Sequence, residues 1–144
     1  MRSITNVSAA ILKNPEVIAV DQDPLMRSGR RVSNRNGQQV WRKDLADGSV
    51  AVALFNSGEE AARIPVVFEE VGFTGCDRVA VRDLLARKDL GVRVGVTSQA
   101  IQKIYDRTFV SEIACLRFQG LDGAVESPLV PAHGSAMLNL SIVW

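Results

Sequence analysis

Hydrophobic positions recur at helical spacing at the start of the chain. In residues 3–13, Ile4, Val7, Ile11 and Leu12 lie three to four residues apart or adjacent, which predicts a short amphipathic helix with one apolar stripe. Ser3 or Thr5 could cap its start. Asn14 precedes a proline and is disfavoured in the α region, so we expect the helix to end there. Its apolar stripe needs a packing partner.

From residue 30 onward the period of the pattern changes to two. Val50, Val52 and Leu54 alternate with the small residues Ala51 and Ala53, which is typical of a β-strand. The predicted strands cover residues 30–32, 38–45, 49–55, 62–69, 78–84 and 135–143. Pro65 indicates an edge strand or a bulge.

Turn signals separate these strands. Asn36-Gly37 is a hairpin pair, and Asp47-Gly48 is a second one. Six or seven short strands with turns at the spacing seen in sandwiches, and no crossover helix between them, argue against a parallel α/β sheet. The pattern predicts an all-β fold, an antiparallel two-sheet Greek-key β-sandwich preceded by one short α-helix.

Residues 92–129 do not fit the strand pattern. Ile101, Ile104 and Tyr105 have helical spacing, and residues 111–121 could form a strand. The stretch is longer than an ordinary loop. We interpret it as a helix-containing or disordered insertion.

Composition narrows the class of protein further. The 144 residues form one domain's worth of chain, with a formal net charge of +1 and no block of like charge. The nearest is the group Arg27, Arg30, Arg31 and Arg35, which we interpret as a solvated turn region. Neither a nucleic-acid partner nor a membrane partner is therefore predicted.

The soft metal ligands are few. Cys76 and Cys115 lack CxxC spacing, and His133 is the one histidine, so we predict no metal site and no cofactor. Whether the two cysteines pair stays open. The N-terminus shows no signal peptide, so the chain is expected to remain where it is made.

Four motifs together carry a family resemblance. They are NPEVIAVDQDPL, QQVWRKDLADGSVAVALFN, VAVRDLLARKDLG and VPAHGSAMLNL. Their order and spacing resemble the C-terminal portion of glycoside hydrolase family 27, the α-galactosidases and α-N-acetylgalactosaminidases. The resemblance implies a (β/α)8 catalytic barrel followed by an antiparallel β-sandwich.

The resemblance also implies a division of the chain. Residues 1–25 correspond to a remnant of the last barrel helix and the inter-domain connection, and residues 26–144 to the C-terminal sandwich with the insertion at 92–129. The implied parent activity is hydrolysis of terminal α-galactosides. Because a barrel takes about 250 residues, we expect this chain to lack hydrolase activity of its own.

The expected partner is the barrel, and the exposed helix face could support self-association. The family is commonly secreted or lysosomal, so the localisation stays open. The alternative function is a free-standing carbohydrate-binding or protein-interaction sandwich.

Asp21 and Asp23 are the candidates for a catalytic pair. Retaining glycosidases use two carboxyl groups about 5–5.5 Å apart, and in an extended segment these two would be about 6.5–7 Å apart on one side. No Trp, Tyr or His lies nearby in sequence to orient a sugar. Asp23 before Pro24 favours a turn. In the resemblance both residues match the connection, so we predict no catalytic residue in this chain.

Other polar and aromatic candidates have structural interpretations. His133 in PAHG is predicted to be a turn residue rather than a base, and no triad can be argued with Ser135 and Asp89. Trp41 is a core residue or a sugar platform, and we favour the core. Asp83 is expected to form a local ion pair or a cap. Asn6 and Asn139 begin glycosylation sequons, expected to stay unmodified without a signal peptide.

Overall fold

Two short helices precede the strands in the computed structural model, which describes residues 6–73, 78–94 and 124–143. The helices are α1 (Asn6–Leu12) and α2 (Pro15–Asp21). The strands are β1 (Arg30–Arg35), β2 (Gln38–Asp44), β3 (Val50–Asn56), β4 (Pro65–Val67), β5 (Arg78–Asp83), β6 (Lys88–Val94), β7 (Ala124–Glu126) and β8 (Ser135–Ile142).

The second helix differs from the prediction of a single one. The helix α1 ends before Asn14, as expected, but Pro15 then begins α2 instead of an extended segment. Asn14 has extended backbone angles, and its side chain accepts from the amides of Glu16 and Val17. Proline is well suited to the first turn of a helix, where its missing N–H costs nothing. The same dipeptide therefore stops one helix and starts another.

The strands form two antiparallel sheets. The larger has the order β1-β2-β3-β8-β5-β6, and the smaller pairs β4 with β7. The last strand, β8, lies between β3 and β5 and pairs antiparallel with both, a non-consecutive order of the Greek-key kind. The predicted all-β sandwich is confirmed.

The β1–β2 hairpin shows why the turn signal was strong. Asn36 and Gly37 have φ values of +51° and +80°. Two successive left-handed residues give the turn whose twist matches the flanking strands, and Asn-Gly is the pair that adopts it most readily.

The main core lies between the two sheets. Val52 and Leu54 of β3 and Leu138 of β8 are completely buried, and they belong to one cluster with residues of the smaller sheet. That side contributes Ile64, Val66 and Phe68, the same alternate positions that the sequence places on one face. Phe68 and Phe73 pack edge to face, with ring centroids 6.0 Å apart.

Several boundaries depart from the pattern. The strand predicted at 62–69 shortens to β4, and Lys88–Val94 forms a strand that was not predicted. Both ends of the range 92–129 are strands, since β6 runs into it and β7 lies near its end. The helix and strand predicted within 97–121 lie outside the described residues. The division of the chain at residue 25 stays a prediction.

Candidate functional site

The helix α2 lies on the face of the large sheet that points away from the main core, here called the outer face. Val20 of α2 is buried in a second cluster with Leu45, Ala51 and Leu84. Val17 and Met137 pack against that cluster while remaining partly exposed. The segment with the two aspartates is thus fastened to the sandwich itself.

Asn14 anchors the start of α2. Its Nδ2 donates to the carbonyl oxygen of Leu84 at 2.7 Å, and its Oδ1 accepts from the amide of Glu16 at 3.0 Å. Asn14 is buried. One side chain therefore caps the helix and satisfies a carbonyl 70 residues away.

An ion-pair network lies beside this anchor. Arg82 of β5 donates from Nε and Nη2 to the two carboxylate oxygens of Glu16, at 2.8 and 2.7 Å. Its Nη1 donates to Asp89 at 2.7 Å, and Arg87 approaches Glu16 at 3.3 Å. The hydrogen bonds from Arg82 lower the pKa of Glu16 to about 2. The same bonds raise the pKa of Arg82.

Asp23 has a structural role at the end of the connection. Its Oδ1 accepts from the amide of Leu25 at 3.0 Å, and its two oxygens accept from the amide of Ala46 at 3.1 and 3.0 Å. These bonds fix the connection to the β2–β3 turn. They agree with the turn that the sequence Asp23-Pro24 predicts, the role preferred there to a catalytic one.

Asp21 lies in different surroundings. It is the last residue of α2 and exposed, so the extended spacing considered for the pair does not apply. Both aspartates line a groove of about 970 Å³, whose other lining residues include Ile11 and Leu12. A second groove, of about 580 Å³ beside Arg82 and Asp89, contains Asp23 but not Asp21. The two aspartates therefore share one groove, and of the pair Asp23 alone also lines the second.

The remaining polar candidates are held apart from one another. His133 has a φ of +51° in a turn closed by the bond from the Gly134 amide to the Pro131 carbonyl. Its exposed ring lies 3.4 Å from Glu59. Asp89 is bound to Arg82 instead.

Asp83 is a cap, one of the two roles expected for it. Its Oδ1 accepts from the amides of Leu85 and Ala86, both at 3.0 Å.

Asn139 of the second sequon lies in β8, and its Nδ2 donates to Ser49 at 3.2 Å. Cys76 and Cys115 lie outside the described residues.

The described ranges contain neither a metal-binding cluster nor a helix that could span a membrane. Within residues 6–73, 78–94 and 124–143, no three His, Cys, Asp or Glu side chains are grouped so as to hold a metal ion. Neither of the two helices in that part of the chain has the length and apolar character needed to cross a membrane.

Trp41 corrects a prediction. It is 38% exposed on the outer face, whereas its neighbour Val40 is buried in the core. Successive residues of a strand face opposite sides, and Val40 takes the inner one. Phe55 of β3, diagonal to Trp41 in the register, is also 38% exposed. Sequence reasoning missed this surface, although the apolar residues Ala51, Ala53 and Phe55 at the outward positions were a usable signal.

The family comparison matches this architecture. Residues 35–103 match the model described as "Alpha galactosidase C-terminal beta sandwich domain". Alpha-galactosidase 2 of Arabidopsis thaliana is 39% identical over 84 residues, which are 58% of this chain and 21% of that protein. Alpha-galactosidase of Coffea arabica is 34% identical over 110 residues, 76% of this chain and 29% of that protein. The chain thus spans about a fifth to three-tenths of these curated relatives.

Solved structures of related enzymes contain a domain with the same fold as this chain. Alpha-galactosidase I from Mortierella vinacea superposes with a TM-score of 0.68 and 26% identity, covering 96% of this chain and 29% of that one. A family 27 β-L-arabinopyranosidase from Geobacillus stearothermophilus gives a TM-score of 0.67 at 22% identity, over 97% of this chain and 25% of that one, which shows the fold alone. This chain thus carries the α-galactosidase C-terminal β-sandwich domain.

Proposed function

We propose that this chain acts as the non-catalytic C-terminal sandwich of an α-galactosidase-like glycoside hydrolase and that its partner is a (β/α)8 catalytic barrel. The parent reaction would be the hydrolysis of terminal α-galactosides. The sandwich contributes packing and stability to the barrel rather than a group that touches substrate.

The hydrogen bonds that Asp23 accepts are the observation that supports the non-catalytic role. Both of its oxygens accept from the Ala46 amide, so the carboxylate is committed to the backbone of the β2–β3 turn. The groove that Asp23 and Asp21 both line has apolar neighbours such as Leu12. A nucleophile and an acid–base residue must converge on one bond, and a carboxylate already bound to backbone amides is poorly placed to do so.

A chimera tests the proposal. The segment of the Coffea arabica enzyme that aligns with this chain is replaced by the whole chain, and hydrolysis of 4-nitrophenyl α-galactoside is measured. We expect the chimera to be soluble and active, and this chain alone to show no hydrolysis. The matched control is the same enzyme truncated before the segment, which should lose solubility or activity.

One result would overturn the non-catalytic role. If the chain alone hydrolysed the substrate, and Asp21→Asn with Asp23→Asn abolished that hydrolysis, the pair would be catalytic. An inactive, unfolded chimera would contradict the supporting role of the sandwich.

A second candidate function rests on the outward aromatics. Trp41 and Phe55 share one sheet face, where sugar-binding modules present aromatic platforms. The hollow beside Trp41 is lined by apolar side chains such as Ala53 and Met137, however, and its two cationic side chains are already bound. Lys43 donates to the carbonyl oxygen of Val20, and Arg42 donates to Asp44. Quenching of tryptophan fluorescence by galactose, lost in Trp41→Ala and kept in Trp144→Phe, would support a sugar site. No quenching would exclude it.

A further inference from the structure

Some turns of the described ranges place a small residue directly after an asparagine or an aspartate. In such a pair the backbone nitrogen of the small residue can attack the side-chain carbonyl carbon and close a succinimide ring. A glycine leaves this approach open, and asparagine is one of the thermolabile residues of proteins. The pairs in the described ranges are Asn36-Gly37, Asp47-Gly48 and Asn56-Ser57.

The first pair has both reacting groups free. Asn36 and Gly37 are the central residues of the β1–β2 turn, with φ values of +51° and +80°. Asn36 is exposed, and its side chain forms no hydrogen bond within residues 6–73, 78–94 and 124–143. The Gly37 amide likewise donates to no acceptor in that part of the chain. Neither group has to break a bond before the ring can close.

The second pair lies in the β2–β3 turn, and both of its groups are occupied. Oδ1 of Asp47 accepts from the hydroxyl of Ser49 at 2.6 Å and from its amide at 2.8 Å. These two bonds lower the pKa of Asp47, so its carboxyl stays ionised and resists attack by a nitrogen. The Gly48 amide donates to the carbonyl oxygen of Leu45 at 3.1 Å. The same turn chemistry is therefore blocked here.

The third pair is blocked by burial as well as by hydrogen bonds. Asn56 is buried, its Nδ2 donates to the Glu60 carbonyl oxygen at 2.7 Å, and its Oδ1 accepts from the Gly58 amide at 3.0 Å. The attacking group would be the Ser57 amide, which donates to the Gly37 carbonyl oxygen at 3.0 Å. Ring closure at Asn56 therefore requires local unfolding first.

We propose that Asn36 is a site of spontaneous deamidation and that the fold restricts this reaction to Asn36 among the three pairs. The Gly37 nitrogen gives its proton to water and bonds to Cγ of Asn36. The bond from Cγ to Nδ2 breaks, and Nδ2 takes a proton from water and leaves as ammonia. Water then opens the ring. Hydrolysis at Cγ gives aspartate, and hydrolysis at the main-chain carbonyl carbon gives isoaspartate.

Isoaspartate would disturb the turn because Gly37 is closely held. The Gly37 carbonyl oxygen accepts from the Ser57 amide at 3.0 Å and from its hydroxyl at 2.8 Å. A Cβ on Gly37 would lie 2.5 Å from Oγ of Ser57, so there is no spare room on that side. Isoaspartate routes the chain through Cβ and Cγ of residue 36 and lengthens the turn by one backbone atom. The isoaspartate form should therefore unfold at a lower urea concentration than the unmodified chain.

A variant with two Asn-Gly pairs tests the proposal. Asp47→Asn gives the β2–β3 turn the same pair as the β1–β2 turn, so that only the surroundings differ. The variant is kept in mildly alkaline buffer, once folded and once in urea. Peptide mass spectrometry follows the conversion of each amide to a carboxyl, and labelling by an isoaspartyl methyltransferase with S-adenosylmethionine identifies isoaspartate.

The expected result is a large rate difference that unfolding removes. In the folded variant, position 36 should convert at least about tenfold faster than position 47, because breaking a hydrogen bond precedes attack at position 47. In urea the two rates should agree within about twofold, since the local sequences match and the fold is gone. Equal rates in the folded variant, or faster conversion at position 47, would overturn the proposal.

The wild-type chain supplies a second test should Asp47→Asn fail to fold by circular dichroism. Asn36 should convert in the folded wild-type chain, whereas Asn56 should convert only in urea. An Asn36 that is stable in the folded chain and reactive in urea would show that the turn protects it, which contradicts the proposal. The matched control is Asn36→Gly, because glycine accepts the positive φ and cannot form the ring. Isoaspartate labelling of the turn should be lost in that variant, and labelling that persisted would place the reaction elsewhere.

Discussion

Arg82 holds both carboxylate oxygens of Glu16, at 2.8 Å from Nε and 2.7 Å from Nη2, across 66 residues of sequence. A planar guanidinium matches a carboxylate in this two-bonded arrangement, which sets direction as well as distance. The pair fastens the first turn of α2 to β5.

Glu16→Gln is expected to lower the urea midpoint at pH 7. The pKa of Glu16 is about 2 in the folded chain against an ordinary value of 4.5, so its charge stabilises the fold above pH 4.5. That contribution is lost as the pH falls from 4.5 through about 2. The difference between variant and wild type should shrink over the same window.

The control for this prediction is Glu126→Gln, at an exposed position of β7. It should match wild type at each pH. A midpoint difference for Glu16→Gln that stays constant from pH 7 down to about pH 2 would show that packing, and not charge, is what the substitution removes.

Asn14→Ala should destabilise the chain by about 2 kcal/mol, because it removes a helix cap and leaves the Leu84 carbonyl without its donor. Asn14→Asp keeps an acceptor for the Glu16 amide but cannot donate to Leu84. It should recover less than half of the loss, as measured by urea unfolding. Equal stability of Asn14→Asp and wild type would mean that the bond to Leu84 contributes nothing.

Asp23→Ala should cost about 1–2 kcal/mol of unfolding free energy, since the Ala46 and Leu25 amides lose their acceptor. Asp21→Ala, two residues away and exposed, is the matched control and should lie within about 0.5 kcal/mol of wild type. Thermal unfolding of the two variants side by side gives the comparison. The reverse order of stability would refute the turn role of Asp23.

Asn56→Ala should cost about 2–4 kcal/mol, because Asn56 is buried and its Nδ2 lies within bonding distance of three carbonyl oxygens. These are Glu60 at 2.7 Å and Val130 and Pro131 at 3.2 Å. Ser57→Ala, at the adjacent residue, removes one exposed hydrogen bond to the Gly37 carbonyl oxygen. It should lower the unfolding free energy much less, as measured by urea unfolding of both variants. Similar losses in the two variants would contradict this role for Asn56.

Local chemistry explains how much of the fold was predictable. The strands β1, β2, β3, β5 and β8 overlap predicted segments because alternation and turn pairs such as Asn36-Gly37 act between near neighbours. The helix α2 was missed because Asn14-Pro15 is equally a stop signal and a start signal, and the following turn decides which. The short β4 was overestimated because burial of Ile64 and Phe68 does not require them to lie in a strand.

Periodicity, turn pairs and the Asp-Pro signal depend on a few adjacent residues, so they were enough to establish the fold class, the main core positions and the structural role of Asp23. Alternation also placed Val40 and Trp41 on opposite faces of the sheet. It did not indicate which of the two faces would be covered. That choice came from the folded arrangement, which lays β8 between β3 and β5 and fastens α2 through Glu16 and Arg82. Contacts between residues tens of positions apart require closure of long loops, and local sequence patterns carry no information about the entropy this costs. The outward position of Trp41 was therefore seen only in the folded chain.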